Sequence, residues 1–189
     1  IPKGTEYIQT VIEAMQWNKE LRIDYQPFHG GRAMLHIQPY AMKVYHQRWY
    51  IVGFLKEQKG IRNIALDRVL NMELTTVTFR YPDDFDAEEY YSNTVGIFVN
   101  DKLKPQKVLV RAFGIHVEYM RTLPLHHTQK EIECKHLQYS DFQYRLCLTP
   151  ELTSQLLAMG EKIEVLEPVE LREEIKNKLL NTLNRYHHE

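Results

Sequence analysis

Serine is scarce in this chain. Among 189 residues only Ser92, Ser140 and Ser154 occur, and none lies in the GxSxG turn that presents a nucleophilic serine. There is no GxGxxG run and no Walker A sequence, so the common glycine-rich phosphate cradles are missing. There is no HExxH, and no Cys/His pairs stand at zinc-finger spacing, although nine histidines are present. His126 and His127 are neighbours, and an extended backbone would send their rings to opposite sides. The only cysteines, Cys134 and Cys147, are far apart and form no CxxC. That usage fits a reducing compartment, the cytoplasm, and both thiols read as small core residues on adjacent hairpin strands. No apolar run reaches the roughly 18–20 residues a membrane span needs, and no signal peptide is visible. No repeat or low-complexity tract occurs. The acids at 83–89 read as a solvated face rather than a catalytic pair. The expectation is a non-enzyme with no catalytic residue, metal or cofactor.

Charge is what this chain does carry, and it is unevenly spread. Residues 1–80 hold 11 Lys and Arg against 7 Asp and Glu, whereas residues 81–189 hold 13 against 18. The stretch YPDDFDAEEYYSNTVGIFVND (81–101) has six acids and no Lys or Arg. A shift of this kind marks a boundary. The expected organisation is a basic first domain over 1–80, an acidic connector over 81–104 and a second domain over 105–189. Apolar residues make up 43%, enough for each domain to bury a core. The chain starts at Ile1 rather than Met, which reads as a fragment of a longer protein.

The period of the apolar residues changes along the chain. Ile8, Val11, Ile12 and Met15 recur at helical spacing in TEYIQTVIEAMQW (5–17). LRIDYQ (21–26) then alternates as a strand, HGG (29–31) turns, and AMLHIQPYAMKVY (33–45) reads as a strand bent at Pro39. RWYIVGFLKE (48–57) and IRNIALDRVLNMEL (61–74) continue the series. A helix followed by about five short antiparallel strands suggests a small barrel, since closure removes exposed edges. The second part reads QKVLVRA (106–112) strand, GIHVEYMR (114–121) helix, and KEIECKHL (130–137) paired with FQYRLCL (142–148) across QYSD. TPELTSQLLAMG (149–160) is a helix capped by Thr149, with Pro150 at its first position and Gly160 beyond its end. KIEVLE (162–167) is a strand, and Pro168 opens a last helix with Leu171, Ile175, Leu179 and Leu183 on one face. The order β-α-β-β-α-β plus a helix is the ferredoxin-like pattern. The fold class expected is therefore α+β.

Strand parity singles out basic residues in the first part. On RWYIVGF, Trp49 and Ile51 face one way, and Arg48, Tyr50, Val52 and Phe54 the other. On IRNIALDR, Ile64 and Leu66 share a face with Arg62 and Arg68. A guanidinium on an apolar face must reach a carboxylate, reach water or accept an anion. Asp24 and Glu73 are candidate structural partners for Arg68. With Lys43, His46 and Arg48, the Trp49-Tyr50 pair gives the mix of aromatic and basic residues used on nucleotides and single strands.

RWYIVGF followed by IRNIALDRV resembles the signature of WYL-domain proteins, bacterial transcription regulators. The triplet here is Trp49-Tyr50-Ile51, with Ile in place of Leu. Leu66, Asp67 and Arg68 match a second family segment, whose first arginine is replaced by Ala65. IDY (23–25) and QPYAMK (38–43) also resemble family strands. LPLHHTQ (123–129) and MGEKIEVLEPVELREEI (159–175) resemble the family's C-terminal WCX extension. The resemblance implies an SH3- or Sm-like barrel for the first domain, and a DNA-binding winged helix-turn-helix ahead of it. It implies an effector sensor binding an anionic ligand, a nucleotide or single-stranded nucleic acid. The ligand-facing residues it implies are Tyr50 and Arg68, with Lys43 and Arg62 nearby; the mix of aromatic and basic residues adds His46 and Arg48. If the absent arginine grips phosphate in relatives, Ala65 implies a weaker or different anion site, or compensation by Arg62. A homodimer is expected, matching a two-fold operator. The competing expectation is an assembly module without a small ligand, in which Arg68 is structural.

Overall fold

The structure is a computed structural model and describes residues 3–132 and 138–187. It is a mixed α/β chain with two antiparallel sheets, and it divides into two compact units, Ile1–Ala87 and Glu88–Glu189.

In the first unit a 3-10 turn, Thr5–Tyr7, leads into helix α1 (Ile8–Gln16), which buries Val11 and Ala14. Strands β1 (Lys19–Tyr25), β2 (Ala33–Tyr45), β3 (Arg48–Leu55), β4 (Gly60–Ala65) and β5 (Val69–Thr78) follow. They form one sheet in the order β4-β3-β2-β1-β5. Alternation sends Leu21, Ile23, Ile37, Ile51 and Leu55 to one face, where they bury fully against α1. Each such side chain contributes about 1.5–3 kcal/mol of apolar burial. Pro39 sits at a register shift against β3, opposite Gly53. A Cβ on Gly53 would lie 2.0 Å from the Gln38 carbonyl oxygen, so only glycine fits this close approach. His46 and Gln47 close the β2–β3 hairpin with φ of 47° and 63°, the left-handed geometry that matches strand twist in a two-residue turn.

Residues 61–74 are not one strand. β4 ends at Ala65, Leu66–Arg68 form a 3-10 turn, and β5 starts at Val69. Burial drives the break. Leu66 is fully buried, and the Arg68 carbonyl accepts a hydrogen bond from the Gln26 N–H at 3.0 Å. The expected shared face of Arg62 and Arg68 is therefore absent, since Arg68 lies beyond the strand.

The second unit starts within α2 (Ala87–Tyr91). It contains β6 (Gln106–Phe113), α3 (His116–Thr122), β7 (Lys130–Ile132), β8 (Tyr139–Leu146), α4 (Pro150–Met159), β9 (Ile163–Glu167) and α5 (Val169–Tyr186). The strands are ordered β7-β8-β6-β9, each antiparallel to its neighbour. Thr149 caps α4 by accepting the Leu152 N–H at 3.2 Å, and Gly160 turns out of it at φ 59°. The segment expected as a turn, QYSD, instead enters β8. Ser140, Phe142, Tyr144 and Leu146 bury alternately, so the period of two already runs through it. Cys147 is buried; Cys134 lies outside the described residues. His126 and His127 do not point apart. Residues 126–129 turn, with the Gln129 N–H donating to the His126 carbonyl, and the two rings lie 4.2 Å apart. Of the face expected on α5, Leu171 is fully buried and Ile175 packs on the core, but Leu179 and Leu183 are exposed.

Candidate functional site

Three separate pieces of the first unit converge on one charged cluster. The end of β1 supplies Tyr25, and the loop after it supplies Phe28. The start of β3 supplies Arg48 and Tyr50. The 3-10 turn supplies Asp67 and Arg68. The Arg68 guanidinium lies 4.7 Å from the Phe28 ring centroid and 5.6 Å from that of Tyr25. Arg48 approaches the same Phe28 ring at 5.9 Å. Phe28 is 67% exposed, so much of its ring is open to solvent.

Asp67 stands between the two arginines but saturates neither. Its Oδ2 lies 3.4 Å from Arg48 Nε, and its Oδ1 lies 3.9 Å from Arg68 Nε. The second distance is too long for a hydrogen bond. Asp67 Oδ1 and Arg68 Nε are both buried atoms without a hydrogen-bond partner, each a cost of about 1–3 kcal/mol. Two guanidiniums against one carboxylate leave an excess positive charge. Burial pushes the Tyr25 hydroxyl above its ordinary pKa; the Arg68 charge and a hydrogen bond to the Ala65 backbone act in the opposite direction. The cluster can therefore take an anion on its guanidinium forks and a planar ring on Phe28.

The acids expected to hold Arg68 are engaged elsewhere. Asp24 accepts from Arg32, and Glu73 from Arg22. Of the residues expected to face a ligand, Arg48, Tyr50 and Arg68 come together. Tyr50 is buried, opposite Lys43 on β2 and Ala65 on β4. Ala65 is fully buried. His46 lies in the β2–β3 turn with its ring against Tyr45. Arg62 stands apart from the cluster: it faces Gly53 in register, and its guanidinium donates to Gln58 Oε1 and the Ile61 carbonyl. Phe28 has no periodicity or motif to mark it in the sequence. Its one signal was an aromatic set among the turn residues Pro27, His29, Gly30 and Gly31. Among the described residues, no group of three or more His, Cys, Asp or Glu could hold a metal ion. No helix among them is long and apolar enough to cross a membrane.

The family model for the WYL domain matches residues 6–74, and that for the WCX domain matches residues 105–183. Among solved structures, a protein described as proteasome accessory factor B/C (PafBC) of Arthrobacter aurescens is similar at 18% identity and a TM-score of 0.46. The match covers 93% of this chain and 26% of that one. A CRISPR Cas-related protein is similar at 12% identity and a TM-score of 0.56, covering 97% of this chain and 52% of that one. The chain thus spans only part of each of these proteins.

Proposed function

Because this chain belongs to the WYL-domain family, with a WCX domain behind the WYL domain, we propose that it is the effector-sensing region of a DNA-binding transcriptional regulator. An anionic effector, a nucleotide or a short single strand, docks on Arg68 and Arg48 with its base on Phe28. Tyr50 lies beneath this site, with Lys43 and His46 extending its basic border along β2 and the β2–β3 turn. Arg62 is structural in this reading. The first unit works as a small SH3- or Sm-like barrel and the second follows the ferredoxin-like plan. The regulator acts in the cytoplasm and catalyses no reaction. Its DNA-binding part is a winged helix-turn-helix outside these 189 residues.

The observation that carries this reading is the unfilled ion pair. A buried guanidinium nitrogen and a buried carboxylate oxygen face each other at 3.9 Å without bonding. An anion on Arg68 and Arg48 supplies the acceptor that Asp67 does not. Binding that favours one arrangement of the 66–68 turn over another shifts the regulator between states.

The test is a titration with a labelled single strand of ~10 nucleotides, at low and moderate salt, for wild type and Arg68→Ala. Wild type should bind and weaken with salt. The variant should stay folded by circular dichroism and lose about 10- to 100-fold in affinity, the worth of one charged hydrogen bond. Unchanged affinity in Arg68→Ala would remove the site. No binding by wild type, together with no thermal shift from mono- and dinucleotides, would remove the sensing role.

A further inference from the structure

Gly4 stands just ahead of the Thr5–Tyr7 turn with φ 93°, a conformation that glycine adopts without steric cost. Its surroundings exclude a side chain as firmly as its backbone does. A Cβ on Gly4 would lie 2.7 Å from the Asp67 amide nitrogen and closer still to the Leu66 carbonyl. The backbone at Gly4 therefore rests directly on the Leu66–Asp67 peptide. That peptide belongs to the 3-10 turn that carries Asp67 and Arg68.

The two turns are tied together and each is closed on itself. The Tyr7 hydroxyl donates to the Leu70 carbonyl at 3.0 Å, and Tyr7 packs on the core of the first unit. The Tyr7 N–H donates to the Gly4 carbonyl at 3.2 Å, and the Gly4 N–H to Glu6 Oε2 at 2.9 Å. The Val69 N–H closes the other turn on the Leu66 carbonyl. A turn closed in this way tilts as a unit. Leu66 is fully buried and the Arg68 carbonyl is held by the Gln26 N–H, so the peptide planes between them are what a ligand on Arg68 can reorient. No space separates those planes from Gly4. A packed contact of this kind passes a displacement on rather than absorbing it.

The turn also has a reason to move. Arg68 Nε and Asp67 Oδ1 are buried without hydrogen-bond partners, so the arrangement seen here leaves bonds unmade that an anion can supply.

We propose that Gly4 is the output contact of the anion site. An effector on the Arg68 guanidinium tilts the Leu66–Asp67 peptide, and that peptide displaces the Gly4–Tyr7 turn and the backbone ahead of α1. This rests on the effector-binding reading above and adds the route by which binding is felt beyond the site. Gly4 is a positioning residue: it sets the pose of the peptide from which Arg68 projects. The coupling is reciprocal. Moving the turn from residue 4 changes effector affinity, and effector binding changes the Gly4–Tyr7 turn.

Amide hydrogen exchange and strand titration on the 189-residue chain test this, with a labelled single strand of ~10 nucleotides as the probe. In wild type the strand should slow exchange in 66–70 and, at the same saturation, alter it in 5–9. Gly4→Ala should weaken strand binding at least about fivefold. Lower stability alone does not do this, since a chain still about 95% folded keeps nearly all its affinity. Tyr7→Phe removes one hydroxyl and keeps the ring; it should shrink the response in 5–9 while that in 66–70 stays. Binding with a response confined to 66–70, and with unchanged affinity in Gly4→Ala, overturns the coupling and leaves the anion site standing. No binding by wild type removes the anion site and the coupling with it. If Gly4→Ala misfolds, the other two proteins decide: no response in 5–9 of wild type, or an undiminished one in Tyr7→Phe, overturns the proposal.

Discussion

Arg111 in the second unit and Arg68 in the first are built from the same parts, and they differ in how well those parts meet. Arg111 donates through Nε and Nη2 to both oxygens of Asp141, at 2.7 and 2.9 Å, while its guanidinium lies 4.0 Å from the Tyr139 ring. Arg68 also has an aspartate and an aromatic ring, but its shortest approach to Asp67 is 3.9 Å. The cause is topological. Arg111 and Asp141 are directly opposite on β6 and β8, where cross-strand side chains run parallel and can form a two-pronged pair. Asp67 and Arg68 are consecutive in a 3-10 turn, where neighbouring side chains splay apart. A saturated arginine is structure. An arginine held beside a ring and short of its carboxylate still has donors to offer.

That contrast can be broken by substitution. The largest expected effect is on Arg111→Ala, which strands Asp141. It should destabilise the chain by about 1–3 kcal/mol, lowering the melting temperature by about 4–8 °C per kcal/mol in a unit of this size. Single-strand affinity should not change. Phe28→Ala comes next and acts on binding alone. Loss of a stacking platform worth about 1 kcal/mol or more should weaken the single-strand complex at least about fivefold, with melting unchanged because the ring is exposed. Arg68→Met keeps the stem and removes the charge. Its stability should not fall, because the substitution removes a buried nitrogen that has no hydrogen-bond partner, and a loss as large as that of Arg111→Ala would make Arg68 structural.

The smallest effect is in acid. Glu131 is held below its ordinary pKa of 4.5, first by its hydrogen bond from Arg121 and then by Ser140. A depressed carboxyl stabilises the fold fully above the unfolded value and loses that contribution as pH falls through the lower folded value. Glu131→Gln should therefore flatten the dependence of stability on pH below about pH 4.5 in urea titrations. An unaltered slope would mean that this pair contributes nothing.

Much of the local structure was legible in residue order. The alternation in 33–45 and 48–55, the helical spacing in 8–15 and the Thr149-Pro150 start of α4 each follow from short-range sterics and periodic burial. The parity that put Arg48 and Tyr50 on one strand face holds, because β3 is regular through both. Parity failed at Arg68, because it assumes a continuous strand and Leu66 turns inward to fill the core. Phe28 was out of reach for a related reason. A loop residue has no period, and only the folded path of residues 26–32 sets its ring beside guanidiniums 20 and 40 positions further along. The sequence alone determined the alternation along β2 and β3, the start of α4 and how charge is divided along the chain. Tertiary structure decided which cations find acids and which do not. Secondary structure depends on neighbours a few residues apart, whereas an ion pair depends on ångström distances between side chains carried by different elements.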